Sequence, residues 1–223
     1  EMNPPVIIDN QGNNLLSNAI KEYSKDSKEI KIATGYFRIS GFNLMKNDLK
    51  NLRQPNQGDA PFKIIMGDET GLETAKEMNN GYNLKKKISN SIKKDIKEEE
   101  GGKLSNLAEL IVEGYLDIKI YTEGKFHPKC YLFLKEVDSD LVEGNLIIGS
   151  SNFTYPGLEK NLELNYNDKG CLGTPKFNQW FNDIWESKTE RFNLFLLKII
   201  ENNKNYQDYA GGNKRKKLKG KID

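Results

Sequence analysis

Apolar residues recur along this chain with two periods, helical and strand-like, and the two alternate for most of its length. Leu16, Ile20 and Tyr23 share one face of a helix spanning 15–23. In the β-rich run 29–34, Ile30 and Ile32 alternate with lysines, and the run ends in Gly35-Tyr36-Phe37. Ser40-Gly41 then reads as a helix start presenting Phe42, Met45 and Leu49 to the core. Residues 62–66 form a second short strand, stopped at Gly67. Leu84, Ile88, Ile92 and Ile96 recur every four residues among lysines, the pattern of an amphipathic helix with a solvated outer face. Gly101-Gly102 is expected to interrupt that pattern, with a helix resuming from 104 to 112. Compact strands are predicted at 117–121, 129–134 and 145–149, the last two joined by an acidic hairpin connection over 135–143. A further strand at 162–166 and helices at 175–186 and 192–202 complete the series. The alternation predicts an α/β fold, a mixed β-sheet flanked by helices on both faces, in a single domain over 1–205 followed by a basic tail or linker over 206–223.

Composition narrows the class. The 223 residues suit one large α/β domain or two small ones. Hydrophobic residues make up 36% and charged residues 30%, and the mean hydropathy is −0.72. Runs such as Leu146-Ile147-Ile148 are far too short to span a bilayer, so no membrane partner is expected. The first residues lack a basic start and an apolar core, and no signal peptide is visible. Cys130 and Cys171 have no C-x-x-C spacing, which points to a reducing, cytoplasmic compartment and away from a zinc site. The net charge of +2 is too small to imply a polyanion partner by itself. Residues 214–221 are more suggestive, with six positive charges in eight positions. That run reads either as a solvated, disordered end or as a source of salt-sensitive phosphate affinity.

The chemistry centres on the single histidine of the chain. His127 stands two residues before Lys129; Asn152 follows 23 residues later, and Glu163 11 after that. Side chains two apart on a strand point the same way, so His127 and Lys129 are expected to converge on one ligand. Asn152, at the end of the following strand, adds a neutral donor, and the set suits a tetrahedral phosphate. Ser150 and Ser151 stand at a strand end where backbone N–H groups contact anions well, and they are candidate substrate-binding residues. Tyr36 and Ser40 follow another strand end, where α/β folds commonly bind ligands, although packing and helix capping explain them equally well.

The succession H-x-K at 127–129, G-S-S-N at 149–152 and N-x-E at 161–163 resembles the phospholipase D superfamily, also called HKD. The opening Ile8-Asp9-Asn10, the run from Ala33 to Phe42 and Ile65-Met66-Gly67-Asp68-Glu69 are similar to one branch of it. That branch comprises nuclease-like domains found in restriction enzymes or fused ahead of helicases. The resemblance implies a DNA phosphodiesterase in which His127 attacks phosphorus to give a phosphohistidine. Glu163 would fix the tautomer of His127, and Lys129 and Asn152 would stabilise the equatorial oxygens. With one motif in the chain, it implies a homodimer that pools two histidines in one composite site, and a scheme that requires no metal and no cofactor. An associated helicase or DNA-recognition module is the implied source of sequence choice. One departure stands out: the family motif has an aspartate five positions after the lysine, and position 134 is Leu. The helicase- and restriction-associated branch commonly lacks that aspartate.

Other readings lead elsewhere. Glu29-Ile30-Lys31 and Asp117-Ile118-Lys119 have the [DE]-x-K form of magnesium-dependent nucleases, and persistence of activity in EDTA discriminates against that chemistry. A catalytically inactive module that binds nucleic acid or mediates dimerisation is another alternative. Lipid hydrolysis is a third, which no membrane-active surface in the sequence favours.

Overall fold

The computed structural model describes residues 4–45, 49, 51–56, 58–67, 81–97, 99–138, 141–168 and 173–223. Among them, eight strands form one mixed sheet: β1 (Ile7–Ile8), β2 (Glu29–Thr34), β3 (Phe62–Met66), β4 (Leu116–Tyr121), β5 (Cys130–Asp138), β6 (Leu141–Gly149), β7 (Asn165–Asp168) and β8 (Thr189–Arg191). Their order is β1-β7-β6-β5-β2-β3-β4-β8. β2, β3 and β4 run parallel, and every other pairing is antiparallel. The helices are α1 (Leu16–Asp26), α2 (Ile39–Phe42), α3 (Gly81–Ile96), α4 (Gly101–Val112), α5 (Thr174–Ser187), α6 (Asn193–Glu201), α7 (Lys204–Tyr209) and α8 (Gly212–Ile222), with a π-helical turn at Pro156–Lys160.

The two-residue period of the strands divides the core. Ile30, Ile32, Phe62, Ile64, Ile118, Tyr131 and Phe133 face a large cluster that includes Leu16 and Ile20 of α1, Ile88 and Ile92 of α3, Leu104 and Ile111 of α4, and Leu196 and Ile200 of α6. Ala33, Ile65, Cys130, Leu132, Leu134 and Leu146 face the other way, against Phe181 and Trp185 of α5. Helices therefore cover both faces, as the alternation predicts, with α5 covering the second. Each fully buried Ile, Leu or Phe contributes roughly 1.5–3 kcal/mol relative to exposure. Cys130 is a buried free thiol, and burial pushes it up to about 12, which removes it from reactive chemistry. Cys171, Asp68 and Glu69 lie outside the described residues.

Several elements differ from the sequence expectation. The helix expected from Ser40 to beyond Met45 regularises only over Ile39–Phe42, yet Met45 is fully buried and Leu49 packs against the core. Gly101 and Gly102 begin α4 rather than break a helix. A Cβ at Gly101 would lie 2.1 Å from the Asn205 carbonyl oxygen, so glycine lets α7 approach α4. The connection between β5 and β6 is shorter than expected, since the strands stay paired to Asp138↔Leu141. The strand expected from Leu162 starts at Asn165. β1 and β8 are too short to carry a period and were not legible. The expected tail beyond 205 is helical: Tyr206 and Leu218 are each 1% exposed in the main core, and Lys214 pairs with Glu109 at 2.5 Å. The six cations hide the one leucine that docks α8.

Two charged side chains, Glu29 and Lys31, are buried. Lys31 projects from β2 toward α5, 2.5 Å from Asn178 Oδ1 and 2.9 Å from Asn182 Oδ1, with the Glu29 carboxylate 3.6 Å away. Burial pulls its ammonium down to about 8, although Glu29 opposes the shift. An unfolded lysine titrates near ~10.4, so between pH about 8 and about 10.4 the unfolded chain binds more protons than the folded one. The penalty for burying this cation is thus full below that window and is relieved as pH rises through it. Lys31→Met is expected to flatten the rise in unfolding free energy across the window by up to about 3 kcal/mol, measured by denaturant titration. Parallel pH profiles for the two proteins would refute it.

Candidate active site

The ends of β2 and β6 and the starts of β5 and β7 meet at one edge of the sheet. This is also the carboxyl end of the parallel strands, where α/β folds place ligands. His127 and Lys129 lie in the segment entering β5. The ladder reaches Lys129, whose carbonyl accepts the Gly149 N–H at 3.1 Å, and His127 is exposed. Lys129 Nζ donates to the His127 carbonyl oxygen at 2.9 Å, which ties the two motif residues together. The anchor of this segment is Phe126, buried and stacked on Tyr121 at 4.9 Å between centroids. A Cβ at Gly67 would lie 2.6 Å from the Phe126 Cβ, so glycine after β3 makes room for that anchor.

Asn152 is held by backbone beyond β2. Its Oδ1 accepts the Tyr36 N–H at 3.1 Å and lies 3.3 Å from the Thr34 hydroxyl. With the acceptor end of the amide held there, the donor end points the other way, as phosphate binding requires. Thr34 also lies 2.7 Å from the Tyr36 carbonyl oxygen and accepts the Phe153 N–H at 3.0 Å. It thereby organises the turn that carries Asn152, a role that β-strand patterning did not reveal. Thr34→Val keeps the shape and leaves the buried Phe153 N–H without its acceptor. It is expected to destabilise by about 1–3 kcal/mol in thermal unfolding, and an unchanged melting temperature would rule out this role for the hydroxyl.

Glu163 follows the π-helical turn. Its Oε2 accepts a short hydrogen bond from the Ser150 hydroxyl, which in turn accepts the Leu164 N–H at 3.0 Å. Ser150 thus positions the carboxylate, a more specific task than the substrate contact expected of it. The expectation for Ser151 is corrected by burial: it is 0% exposed, and its hydroxyl accepts from Asn165 Nδ2 at 2.9 Å. The Ser151 carbonyl accepts the Tyr131 phenol at 2.7 Å, and burial raises that phenol well above its ordinary value. Ser40 Oγ accepts the Tyr155 N–H at 3.3 Å, so its hydroxyl supports the turn before the π-helical segment.

A cavity of about 310 Å³ is lined by Tyr36, Arg38, Asn152, Thr154, Gly157, Asn161 and Glu163. It brings Asn152, Glu163 and Tyr36 together; His127 and Lys129 stand at the same sheet edge without lining it. Arg38 is the cation that sequence reading passed over as part of a longer motif. Its guanidinium lies 5.1 Å from the Tyr36 ring centroid and 3.2 Å from Asp95 Oδ1, while the Tyr36 hydroxyl is 2.6 Å from Ser91 Oγ. Leu134, where the family motif has aspartate, is fully buried against the α5 face, so apolar packing fills that position. The two [DE]-x-K triplets lie elsewhere. Glu29 opens β2 at the opposite end from Thr34 and bonds to Arg53 Nε at 2.5 Å, and Asp117 stands near the start of β4. Among the described residues, no three His, Cys, Asp or Glu side chains gather as a metal site, and no helix is long and apolar enough to cross a membrane.

The family described as "Cardiolipin synthase, PLD-like domain" matches residues 18–185, from within α1 to within α5. The chain belongs to this phospholipase D-like family. Among solved structures it is similar to Nuc, a phospholipase D family member from Salmonella typhimurium, at 14% identity and TM-score 0.43, covering 78% of this chain and 88% of that one. It is also similar to NucT from Helicobacter pylori, at 14% identity and TM-score 0.41, covering 77% and 87%. Phosphatidylserine synthase from Haemophilus influenzae Rd KW20 aligns at 15% identity and TM-score 0.46, over 96% of this chain and 44% of that one. No curated protein matches the chain.

Proposed function

We propose that this chain is a metal-independent phosphodiesterase that cleaves the DNA backbone in the cytoplasm, through a phosphohistidine in one composite site per homodimer. The observation that carries the reading is the edge where β2, β5, β6 and β7 meet: rigidly held Asn152 and Glu163 share a cavity with Arg38, beside exposed His127 and tethered Lys129. A His127 ring nitrogen attacks phosphorus, forming N–P and breaking the bond to the leaving oxygen, which takes a proton from His127 of the partner subunit. Water then attacks the phosphohistidine, gives its proton to the partner's His127 and restores the first imidazole. Lys129, Asn152 and Arg38 hold the non-bridging oxygens, and Glu163, positioned by Ser150, orients the attacking ring.

A dimer is supported by exposed apolar side chains around Glu163. Leu162 is 73% exposed, Leu164 64% and Tyr166 53%, with Ile7 paired to Tyr166 across the sheet edge. An apolar cluster of this kind on a polar chain marks an interaction surface. The nuclease-like branch associated with restriction enzymes and helicases fits this assignment, with sequence choice supplied by a fused or associated module. The second reading, a catalytically inactive nucleic-acid-binding or dimerisation module, is favoured by one observation: the Lys129 ammonium folds onto the His127 carbonyl outside the cavity. Incubation with supercoiled plasmid and single-stranded DNA in EDTA separates the two. The proposal expects nicking or cutting somewhere between pH about 5 and about 8. Binding without cleavage across that range supports the inactive module, and cleavage only with magnesium restores the acidic-pair alternative.

A further inference from the structure

The lysines of α3 were expected to form an ordinary solvated face, but some of them line a groove. A cavity of about 750 Å³ opens where α3 meets α6 and the start of α7. Lys93, Lys97, Lys198 and Lys204 stand around it, its floor includes Ile96 and Ile199, and among the described residues no acidic side chain lines it. All four lysines are exposed, and none forms an ion pair among the described residues. Two further observations point to a ligand. Ser89, also lining the groove, is only 8% exposed, and its hydroxyl oxygen is buried without a hydrogen-bond partner. Phe195, on the same lining, is 43% exposed, with its ring stacked in near-parallel fashion on Phe192 (5.9 Å, 8°).

We infer that this groove binds single-stranded nucleic acid, with the lysines tracking the phosphodiester backbone and Phe195 as a base-stacking platform. A cationic channel with an aromatic face is the arrangement that holds single strands without sequence choice. The unpartnered Ser89 hydroxyl supplies a donor for a phosphate oxygen, which relieves a buried polar group that is otherwise costly. Lys85, at 5.6 Å over the Phe195 ring, is paired with Glu190 and adds no net charge. α3 links groove and active site: Ser91 and Asp95 bond to Tyr36 and Arg38, while Ser89, Lys93 and Lys97 line the groove. The groove therefore lies across α3 from the Tyr36 and Arg38 side of the active-site cavity, about one helix diameter away, roughly 10–12 Å. The inference rests on the nucleic-acid reading of the active site and names the form of substrate it would take.

The test uses anisotropy of a fluorescein-labelled oligothymidylate of about a dozen residues, on the full chain carrying His127→Ala so that the probe survives. Adding Lys93→Ala and Lys198→Ala is expected to weaken binding roughly 25-fold at about 0.1 M monovalent salt, and to flatten the log–log salt dependence by about 1.4. Phe195→Ala is expected to weaken it about tenfold. Affinity within about twofold of the parent in the lysine variant, with an unchanged melting temperature, overturns the groove. Preference for duplex with Phe195→Ala silent overturns the single-strand assignment, as does tight binding of an acidic peptide at the same lysines. The same lysine changes in the otherwise unmodified chain keep the two proposals separable. Cleavage and binding that survive them sink the groove alone, whereas lysine-sensitive binding by a chain that never cleaves sinks the catalytic reading alone.

Discussion

His127→Ala is expected to lower DNA cleavage in EDTA by roughly 10³-fold or more while leaving oligonucleotide affinity and melting temperature essentially unchanged. The size follows from chemistry: the imidazole is both the nucleophile and, in the partner subunit, the acid, so both halves of the displacement lose their reactive group. Catalytic groups acting as a unit fail together when one is removed. The indifference of stability follows from structure. His127 is exposed, and the packing of its segment is carried by Phe126 against Tyr121, which the substitution does not touch; surface changes of this kind stay within about 0.5 kcal/mol. Lys129→Ala and Asn152→Ala remove charge stabilisation rather than the nucleophile and are expected to cost about 10²–10³-fold each. A radiolabelled phosphate trapped on wild-type His127, and absent from the variant, would complete the case. Equal cleavage rates for wild type and His127→Ala would end it.

What the sequence revealed and what it hid follow one physical division. Periodic burial is a local signal, so β2 and β3 were legible to the residue, and the strand predicted over 129–134 parts Tyr131 and Phe133 from Cys130, Leu132 and Leu134. Where an element is set by a distant neighbour, the local signal fails. β1 and β8 exist only because β7 and β4 offer an edge, and Gly101 sits in a helix because α7 passes over it. The candidate site shows the same division. Its chemistry-bearing residues were read from type and order, but the side chains that aim them were not. Ser150 was expected to touch substrate, and the bond by which it positions Glu163 was not foreseen, while Ser151 is sealed beneath Asn165. Thr34 and Phe126 look like ordinary strand and loop residues until the hydrogen bonds and ring contact are seen.

The composite site makes the sharpest demand on assembly. Leu164→Asp with Tyr166→Asp places two carboxylates on the apolar cluster that flanks Glu163. Both side chains are exposed in the isolated chain, so the fold of each subunit should persist. Across an interface, each charge would lose its hydration without gaining a partner. Sedimentation is therefore expected to show a 25.5 kDa species, and cleavage to fall by about 10² or more because no second imidazole reaches the phosphorus. Groove-directed binding of oligonucleotide should be reduced far less, since Lys93 and Lys198 are untouched. A mixing experiment gives an independent reading. In an about equal, fully re-equilibrated mixture of wild type and His127→Ala, random pairing leaves about a quarter of the dimers with two imidazoles. The mixture should then cleave at about a quarter of the wild-type rate if both rings are required, and at about half if each subunit acts alone. Half-activity, or full activity in the double aspartate variant as a monomer, would mean that one subunit supplies both the nucleophile and the acid. With His127 the sole histidine of the chain, the acid would then have to be another side chain of the same cavity.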